Sequence, residues 1–228
     1  PVVRCPLSRP APSVALSRSD IEGAHLAGLD VAGGQAGLSV QVQVLLDRQG
    51  ISPGVVDGYK GGMTESALRG FEERQGLLVD GILDAEVWSA LGGRDGPPIL
   101  MTYTVSVEDV SDLTETIPDN VAEKAKLEKL GYLRVTERLA ERFHMDEDFL
   151  KALNPEAAFG TGETIWVADP GKAVTAEVVR IEIRKSERRA VAFDAQGRMV
   201  ANYPVAIGST ATPSPEGTVE VQAVAMDP

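Results

Sequence analysis

The tripeptide Val-Asp-Gly occurs twice in close succession, and this repeat constrains the fold more than any other feature of the chain. The two copies begin at Val56 and Val79. Glycine adopts positive φ at little cost and aspartate bonds the N–H groups of its own turn, so each copy predicts a tight turn with a buried valine. The predicted helices that follow start at different distances from the two turns. The copies therefore indicate a pair of similar linkers rather than a solenoid.

Three amphipathic patterns surround these turns, at residues 38–50, 64–76 and 84–92. In each pattern, apolar residues recur three and four positions apart, which is typical of a helix that packs on one face. The patterns are short, so packing must stabilise these helices more than intrinsic propensity does. The predicted caps are Ser39, Thr64 and Asp84, and the predicted stops are Gly50, Gly76 and Gly92.

This order of residues resembles the three-helix peptidoglycan-binding domain found on bacterial cell-wall enzymes. The resemblance implies such a domain at residues 37–93, with peptidoglycan as its partner. The family usually has Phe-Gln where this chain has Phe71-Glu72, and we expect Glu72 to be exposed. The residues that carry the resemblance are Val56-Asp57-Gly58, Thr64, Ala67-Leu68, Phe71, Gly76-Leu77, Val79-Asp80-Gly81 and Trp88 to Leu91.

Four residues are candidates for binding peptidoglycan: Tyr59, Trp88, Asp57 and Asp80. Tyr59 and Trp88 are aromatic residues close to turns, where a ring could stack on a sugar. The two aspartates belong to the turns themselves. A structural role in the core or in a turn is the simpler explanation of all four residues, and both interpretations stay open at this point.

A second module follows a linker rich in glycine and proline. The sequence predicts a short strand at Tyr103, two helices capped by Thr136 and Asp146, and a closing strand within 162–170. The order strand, helix, helix, strand resembles a lysin motif. That resemblance implies a glycan-binding domain at residues 100–170, carried by Tyr103-Thr104-Val105, Leu139-Ala140, Leu150, Leu153-Asn154 and Ile165 to Val167.

This second module departs from the lysin motif by an insertion at about residues 108–134. The insertion lies beside the loops that bind glycan in that family. A role as a structural spacer is therefore the alternative to glycan binding. His144 has no evident Ser or Cys partner for catalysis. We interpret it as a histidine whose ring is hydrogen-bonded at the interface between two modules.

Residues 177–228 have the alternating pattern of β-strands. Apolar residues from Val179 to Ile183 alternate with charged residues, and residues 218–224 alternate again. Between them, Asp194 to Gly197 has the composition of a turn that joins two strands as a hairpin. The sequence thus predicts a third domain, made mostly of strands.

The third domain resembles the opening of the L,D-transpeptidase catalytic domain, through Tyr203-Pro204-Val205, Gly208 and the loop from Thr212 to Gly217. The resemblance implies that a cysteine thiolate attacks a stem peptide and passes the acyl group to the amine of another stem, without a metal or another cofactor. The family's Ser-His-Gly-Cys signature does not occur in these residues. We therefore expect the nucleophile to lie outside this chain, whose 228 residues are predicted to be inactive.

Composition narrows the alternatives for this multidomain α+β protein. A net charge of −12 argues against nucleic acid as a partner, because proteins bind phosphates largely through Lys and Arg. Cys5 is the only cysteine, which excludes an internal disulfide and a zinc cluster of cysteines, and we assign it no catalytic role. No apolar run approaches the roughly 18 residues that a membrane helix needs.

Residues 1–36 are predicted to form a flexible leader, and the missing initiating Met indicates a processed or truncated chain. A wall substrate implies the periplasm or the cell wall as the compartment. Two other functions stay open. One is a non-catalytic anchor or regulator of wall enzymes, and the other is a wall hydrolase that the same modules direct to its substrate.

Overall fold

A computed structural model of the chain describes residues 16–26, 34–93, 96–127 and 130–224. Helices and antiparallel sheets occur together in these residues, which confirms the mixed α+β class. The helices are α1 (Arg18–Glu22), α2 (Gly37–Arg48), α3 (Gly62–Gln75), α4 (Ala85–Ala90), α5 (Val107–Val110), α6 (Val121–Lys124), α7 (Val135–Arg142) and α8 (Glu147–Leu153). The strands are β1 (Leu100–Thr104), β2 (Thr164–Ala168), β3 (Arg180–Arg184), β4 (Arg189–Phe193) and β5 (Met199–Pro204).

Helices α2, α3 and α4 enclose an apolar core in which Phe71 is fully buried. Two predicted helix ends are confirmed. The carboxylate of Asp84 caps α4 by accepting hydrogen bonds from the N–H groups of Glu86 and Val87, at 2.9 and 2.8 Å. Gly76 ends α3 in the left-handed conformation, with a φ of 70°.

The predicted caps Ser39 and Thr64 are wrong, because both residues lie inside helices that begin two residues earlier. The hydroxyl of Ser39 is buried and has no hydrogen-bond partner among the described residues. Helix α2 instead begins at Gly37, where it packs closely against α1. A Cβ atom on Gly37 would lie 2.2 Å from the carbonyl oxygen of Asp20, so only glycine permits this close approach.

The prediction that residues 1–36 form a flexible leader needs correction for residues 16–26. Ser17 and Asp20 form a capping box at the start of α1. Ile21 is fully buried, and the side chain of Gln41 donates hydrogen bonds to the carbonyls of Ile21 and Ala24, at 2.6 and 3.1 Å. This helix is therefore part of the packed structure. Residues 1–15 and 27–33 lie outside the described residues.

The second module contains the predicted order of strand, helix, helix and strand. Strands β1 and β2 pair antiparallel with Leu100 opposite Ala168, and α7 and α8 lie between them in the chain. Asp146 caps α8 as predicted. Thr136 does not cap α7, because the helix starts at the preceding residue and the hydroxyl of Thr136 donates instead to Glu147, at 2.6 Å.

The predicted insertion starts with a helix that is anchored in this module. In α5, Asp109 is fully buried. One of its carboxylate oxygens accepts from the hydroxyl of Tyr103 at 2.6 Å, and the other lies 2.6 Å from the guanidinium of Arg142. The insertion thus begins as a packed part of the module rather than as a free loop.

The third module is an antiparallel sheet with the strand order β3-β4-β5. The predicted hairpin turn is confirmed, since the N–H of Gly197 donates to the carbonyl of Asp194 at 3.0 Å. The predicted strand at residues 218–224 is wrong. This segment has no ladder partner in the part of the chain that the structure describes, and Val219, Val221 and Val224 are exposed. Alternation alone does not make a strand, because the backbone also needs a neighbour.

Asn202 joins the sheet to the helical unit, which consists of α2, α3, α4 and the segments that connect them. Its N–H donates to the carbonyl of Gly50 at 2.9 Å, and its carbonyl accepts from the N–H of Ser52 at 3.0 Å. Its side-chain oxygen accepts from Arg189 at 2.6 Å. Burial lowers the pKa of Arg189 to about 10, because its guanidinium lies in the joint away from water.

His144 joins the helical unit to the second module, as the sequence predicted. Its Nδ1 lies 2.6 Å from the carboxylate of Asp47 in α2, and this contact raises the pKa of the imidazole. The backbone adds two more bonds. The N–H of Val56 donates to the carbonyl of His144 at 2.7 Å, and the N–H of Asp146 donates to the carbonyl of Val56 at 3.0 Å.

Replacing Gly70 by alanine should weaken the joint between α3 and the sheet. A Cβ atom at this position would lie 2.3 Å from the side-chain nitrogen of Asn202. Alanine usually stabilises a helix interior by about 1 kcal/mol over glycine, but this clash should reverse the sign and cost about 1–3 kcal/mol. Urea denaturation measures the change. Gly62→Ala in the same helix meets no atom within 4 Å and is the control. A Gly70→Ala protein as stable as this control would contradict the prediction.

Candidate functional site

The first Val-Asp-Gly turn is held by one side chain of α2. The oxygen Oε1 of Gln43 accepts from the N–H groups of Asp57 and Gly58, at 3.1 and 2.9 Å. The amide nitrogen of Gln43 donates to the carboxylate of Asp57 at 2.8 Å, and this carboxylate also accepts from the N–H of Tyr59 at 2.9 Å. The predicted aspartate-to-backbone bond is thus present. The turn and the helix satisfy each other's polar groups inside the core.

The second turn is held in the same way by Glu72 of α3. Its Oε2 accepts from the N–H groups of Asp80 and Gly81, at 2.9 and 2.8 Å. The expectation that Glu72 is exposed is wrong, because its side chain is fully buried. Burial raises the pKa of this carboxyl, although the two N–H groups lower it in part.

The two turns differ in their valines. Val56 is 1% exposed, as predicted, whereas Val79 is 49% exposed, which corrects the expectation that both valines are buried. The glycines of both turns have positive φ, 76° at Gly58 and 75° at Gly81. The two turns therefore share a positive φ at the glycine but differ in the burial of their valines.

The structure does not bring the four predicted binding residues into one site. Asp57 and Tyr59 lie together at the first turn, and Asp80 lies at the second, where its carboxylate accepts from the N–H of Ile82 at 2.8 Å. Trp88 lies in α4, beside a groove that none of the other three lines. The bonds described above explain both aspartates as turn residues. A contact between any of the four residues and peptidoglycan stays a prediction.

A groove of about 1170 Å³ runs between α1, α2, α4 and the linker at residues 96–99. Its volume suits several sugar or amino-acid residues. The groove is lined by apolar and by polar residues. The apolar ones include Leu26, Leu45, Trp88 and Ile99, and the polar ones include Arg18, Glu22, His25 and Ser89. Arg18 and Glu22 form an ion pair at 2.9 Å, and the guanidinium of Arg18 lies 4.1 Å from the ring centroid of Trp166 in β2. The groove therefore borders both the helical unit and the second module.

Trp88 contributes little surface to this groove, because its side chain is only 5% exposed. The backbone of Gly93 packs directly on the indole, since a Cβ atom on Gly93 would lie 2.2 Å from the ring. A sugar cannot stack on a face that the chain itself covers. Trp88 thus forms part of the groove wall rather than an exposed stacking platform.

Sequence reasoning missed the wall that α1 supplies to the groove. Residues 16–26 were predicted to be flexible, yet they place Arg18, Glu22 and His25 there. The signal was present in the sequence. Ser17, followed three residues later by Asp20 and then by Ile21, is the start pattern of a capped helix with one buried residue.

The comparison with protein families supports the first resemblance. Residues 37–91 match the family described as "Putative peptidoglycan binding domain", and the chain therefore contains a peptidoglycan-binding domain made of α2, α3 and α4. No curated protein matches the chain. In the described part of the chain, no helix has the length and apolar character required to cross a membrane.

Glu72→Gln should change how stability depends on pH. The raised pKa of Glu72 means that its contribution to stability is fully present below the carboxyl's ordinary pKa and is lost as the pH rises through the raised value. Glutamine retains an oxygen for the two N–H groups but carries no charge. The free energy of unfolding of the variant minus that of the wild type should therefore become more positive from acid to neutral pH, by an amount on the order of 1 kcal/mol.

Urea denaturation at several pH values measures this difference. Glu65→Gln replaces an exposed glutamate of the same helix and is the matched control. If the free energies of unfolding of the wild type and of Glu72→Gln change equally with pH, the raised pKa assigned to Glu72 is wrong.

Proposed function

We propose that this chain binds peptidoglycan through its helical unit and is part of a protein that remodels the bacterial cell wall as an L,D-transpeptidase. The match of residues 37–91 to the peptidoglycan-binding family carries the first half of the proposal. Peptidoglycan lies outside the inner membrane, so the protein works in the periplasm or the cell wall.

The groove beside α4 is the proposed binding site. Its apolar residues offer contact area for sugar rings or alanine methyl groups, and its polar residues offer an ion pair and hydrogen-bonding groups. Binding should be weak, because Trp88 exposes little ring surface to a sugar and a chain with a net charge of −12 gains no attraction from an anionic wall.

The second half of the proposal rests on the third module. Strand β5 ends in Tyr203-Pro204, and a compact loop follows in which the hydroxyl of Ser214 accepts from the N–H of Gly208 at 2.8 Å. A Cβ atom on Gly208 would lie 2.2 Å from the carbonyl oxygen of Thr212, so glycine is required for this turn. Strands, Tyr-Pro-Val, glycine and a Pro-containing loop occur here in the order found in the L,D-transpeptidase family.

In the proposed reaction, a cysteine thiolate outside this chain attacks the carbonyl of the diaminopimelate–D-Ala bond in a stem tetrapeptide. D-Ala leaves, and the acyl group passes from sulfur to the amine of a second stem peptide. The thioester conserves the energy of the broken amide bond, so no nucleotide is consumed. A histidine and backbone N–H groups would activate the thiol and stabilise the oxyanion.

A non-catalytic anchor or regulator is the second candidate function. It is favoured by the positions of the reactive side chains in the sequence. Cys5 is the only cysteine, and the two histidines, His25 and His144, both precede the third module. These 228 residues would then anchor a partner enzyme to the wall, or control the access of that enzyme to peptidoglycan.

The chain should co-sediment with insoluble peptidoglycan, and Ser89→Trp should abolish this binding. Ser89 is exposed on α4 and lines the groove, so an indole there fills the site without disturbing the core. Ala90→Trp, on the same helix but outside the groove lining, is the matched control and should bind normally. Equal binding by both variants would rule out the groove. Loss of binding in Tyr59→Ala alone would place the ligand at the first turn.

Incubation of the chain with a tetrapeptide donor should release no D-Ala, because transpeptidation needs a thiolate within about 3 Å of the scissile carbonyl and a base beside it. Chromatography of the products measures the release. Cys5→Ser should leave the result unchanged. Release of D-Ala that depends on Cys5 would contradict the proposal that the nucleophile lies outside this chain.

A further inference from the structure

The strand β3 has an apolar face that nothing in the described structure covers. Val179, Ile181 and Ile183 are 57%, 57% and 52% exposed. The register places Ile181 opposite Ala192 and Ile183 opposite Ala190, so the exposed face continues across β4 as small apolar residues. Large β-branched side chains on an open sheet face are unfavourable in water, because they keep apolar area hydrated.

The opposite face of the same sheet is buried against the rest of the protein. Val191, Phe193 and Met199 form its core, and Arg184 on that side forms a double hydrogen bond with Glu73 of α3, at 2.6 and 2.8 Å. The helical unit also covers the outer edge of β5 through Gly50 and Ser52. Within the described residues, the outer edge of β3 has no strand beside it, and the outer face of the sheet is open at β3.

We propose that two copies of this chain pair antiparallel along β3, with Ile181 opposite the partner's Ile181. An unpaired edge presents a row of N–H and C=O groups that another strand can bond. Antiparallel pairing of two copies joins their sheets into one, and it brings the exposed isoleucines and valines of both copies side by side. The occupant is a second copy because the charges of β3 complement themselves in this register.

The charge and apolar patterns together select the register. With Ile181 on the two-fold axis, Arg180 lies opposite the partner's Glu182, and Val179 lies opposite the partner's Ile183. A register with Glu182 on the axis would instead place two glutamates opposite each other, and Arg180 opposite the partner's Arg184. Like charges directly opposite destabilise a strand pair, and opposite charges stabilise it. With Ile183 on the two-fold axis, Arg184 would also lie opposite the partner's Glu182, but Ile181 would lie opposite the partner's Lys185, and Arg184 already bonds Glu73. Arg180 and Glu182 already form an ion pair within one chain, so pairing gives a closed ring of four charges.

The pairing is weak and depends on concentration, because two chains that each carry a net charge of −12 repel each other. Sedimentation equilibrium of the full chain should show a monomer that converts to a dimer as the concentration rises. Arg180→Glu and Glu182→Arg should each raise the dissociation constant about tenfold or more, and the double variant should recover most of the loss.

A disulfide test reads the register directly. In a Cys5→Ser background, Ile181→Cys places two thiols at opposed positions, whose Cα atoms are about 4.5–5.5 Å apart in an antiparallel pair and within reach of a disulfide. Oxidised glutathione should therefore give a covalent dimer. Ile183→Cys is the matched control, because in this register the two copies of residue 183 are about 13 Å apart along the strands. This control should stay monomeric.

Three results would overturn the proposal. Equal cross-linking of Ile181→Cys and Ile183→Cys would show collisions without a register. A monomer at every concentration, together with no disulfide in Ile181→Cys, would show that copies do not pair. Slow exchange of the β3 amide hydrogens in a monomeric sample would show that another segment of the same chain covers the edge.

Discussion

Each Val-Asp-Gly turn depends on one buried side-chain oxygen that accepts two consecutive backbone N–H groups, and the helical unit depends on these turns. Gln43 supplies the oxygen at the first turn and Glu72 at the second. The N–H of the glycine is buried in both turns, and a buried N–H group left unpaired costs about 1–3 kcal/mol. The helices thus fix the turns, and the turns in return fix how α2, α3 and α4 follow one another. The repeated tripeptide is the part of this arrangement that the sequence shows directly, and the oxygens of Gln43 and Glu72 are the other part.

The two oxygens are not equivalent in energy. Gln43 is neutral and its amide nitrogen also bonds, to the carboxylate of Asp57 and to the carbonyl of Tyr59. Glu72 brings a carboxylate into the core, and its second oxygen has no hydrogen-bond partner among the described residues. Burying this group costs free energy that the two N–H bonds offset only in part. The stability of the second turn therefore falls as the pH rises through the raised pKa of this carboxyl.

The sequence predicted what local chemistry decides and failed where distant segments decide. Asp84 and Gly76 act at helix ends through their own neighbours, so their roles could be predicted. The position of Ser39 inside α2 could not be predicted, because the helix begins at Gly37, in contact with α1, a segment that the sequence predicted to be flexible. The burial of Glu72 could not be predicted, because the turn that covers it comes later in the chain. In the candidate site, aromatic character identified Trp88, but only the fold shows that Gly93 covers its ring.

The joint at Asn202 has a mechanical consequence. Strand β5 bonds the segment that follows α2 through backbone groups, Asn202 packs against Gly70, and Arg184 holds Glu73. These contacts hold the sheet directly against the helical unit, so its position does not depend on a flexible linker. A polymer strand held in the groove would meet the loop after β5 at a distance and angle that the fold determines. The separation between the proposed site and this loop is then fixed by the fold, and a longer linker between the modules would not change it.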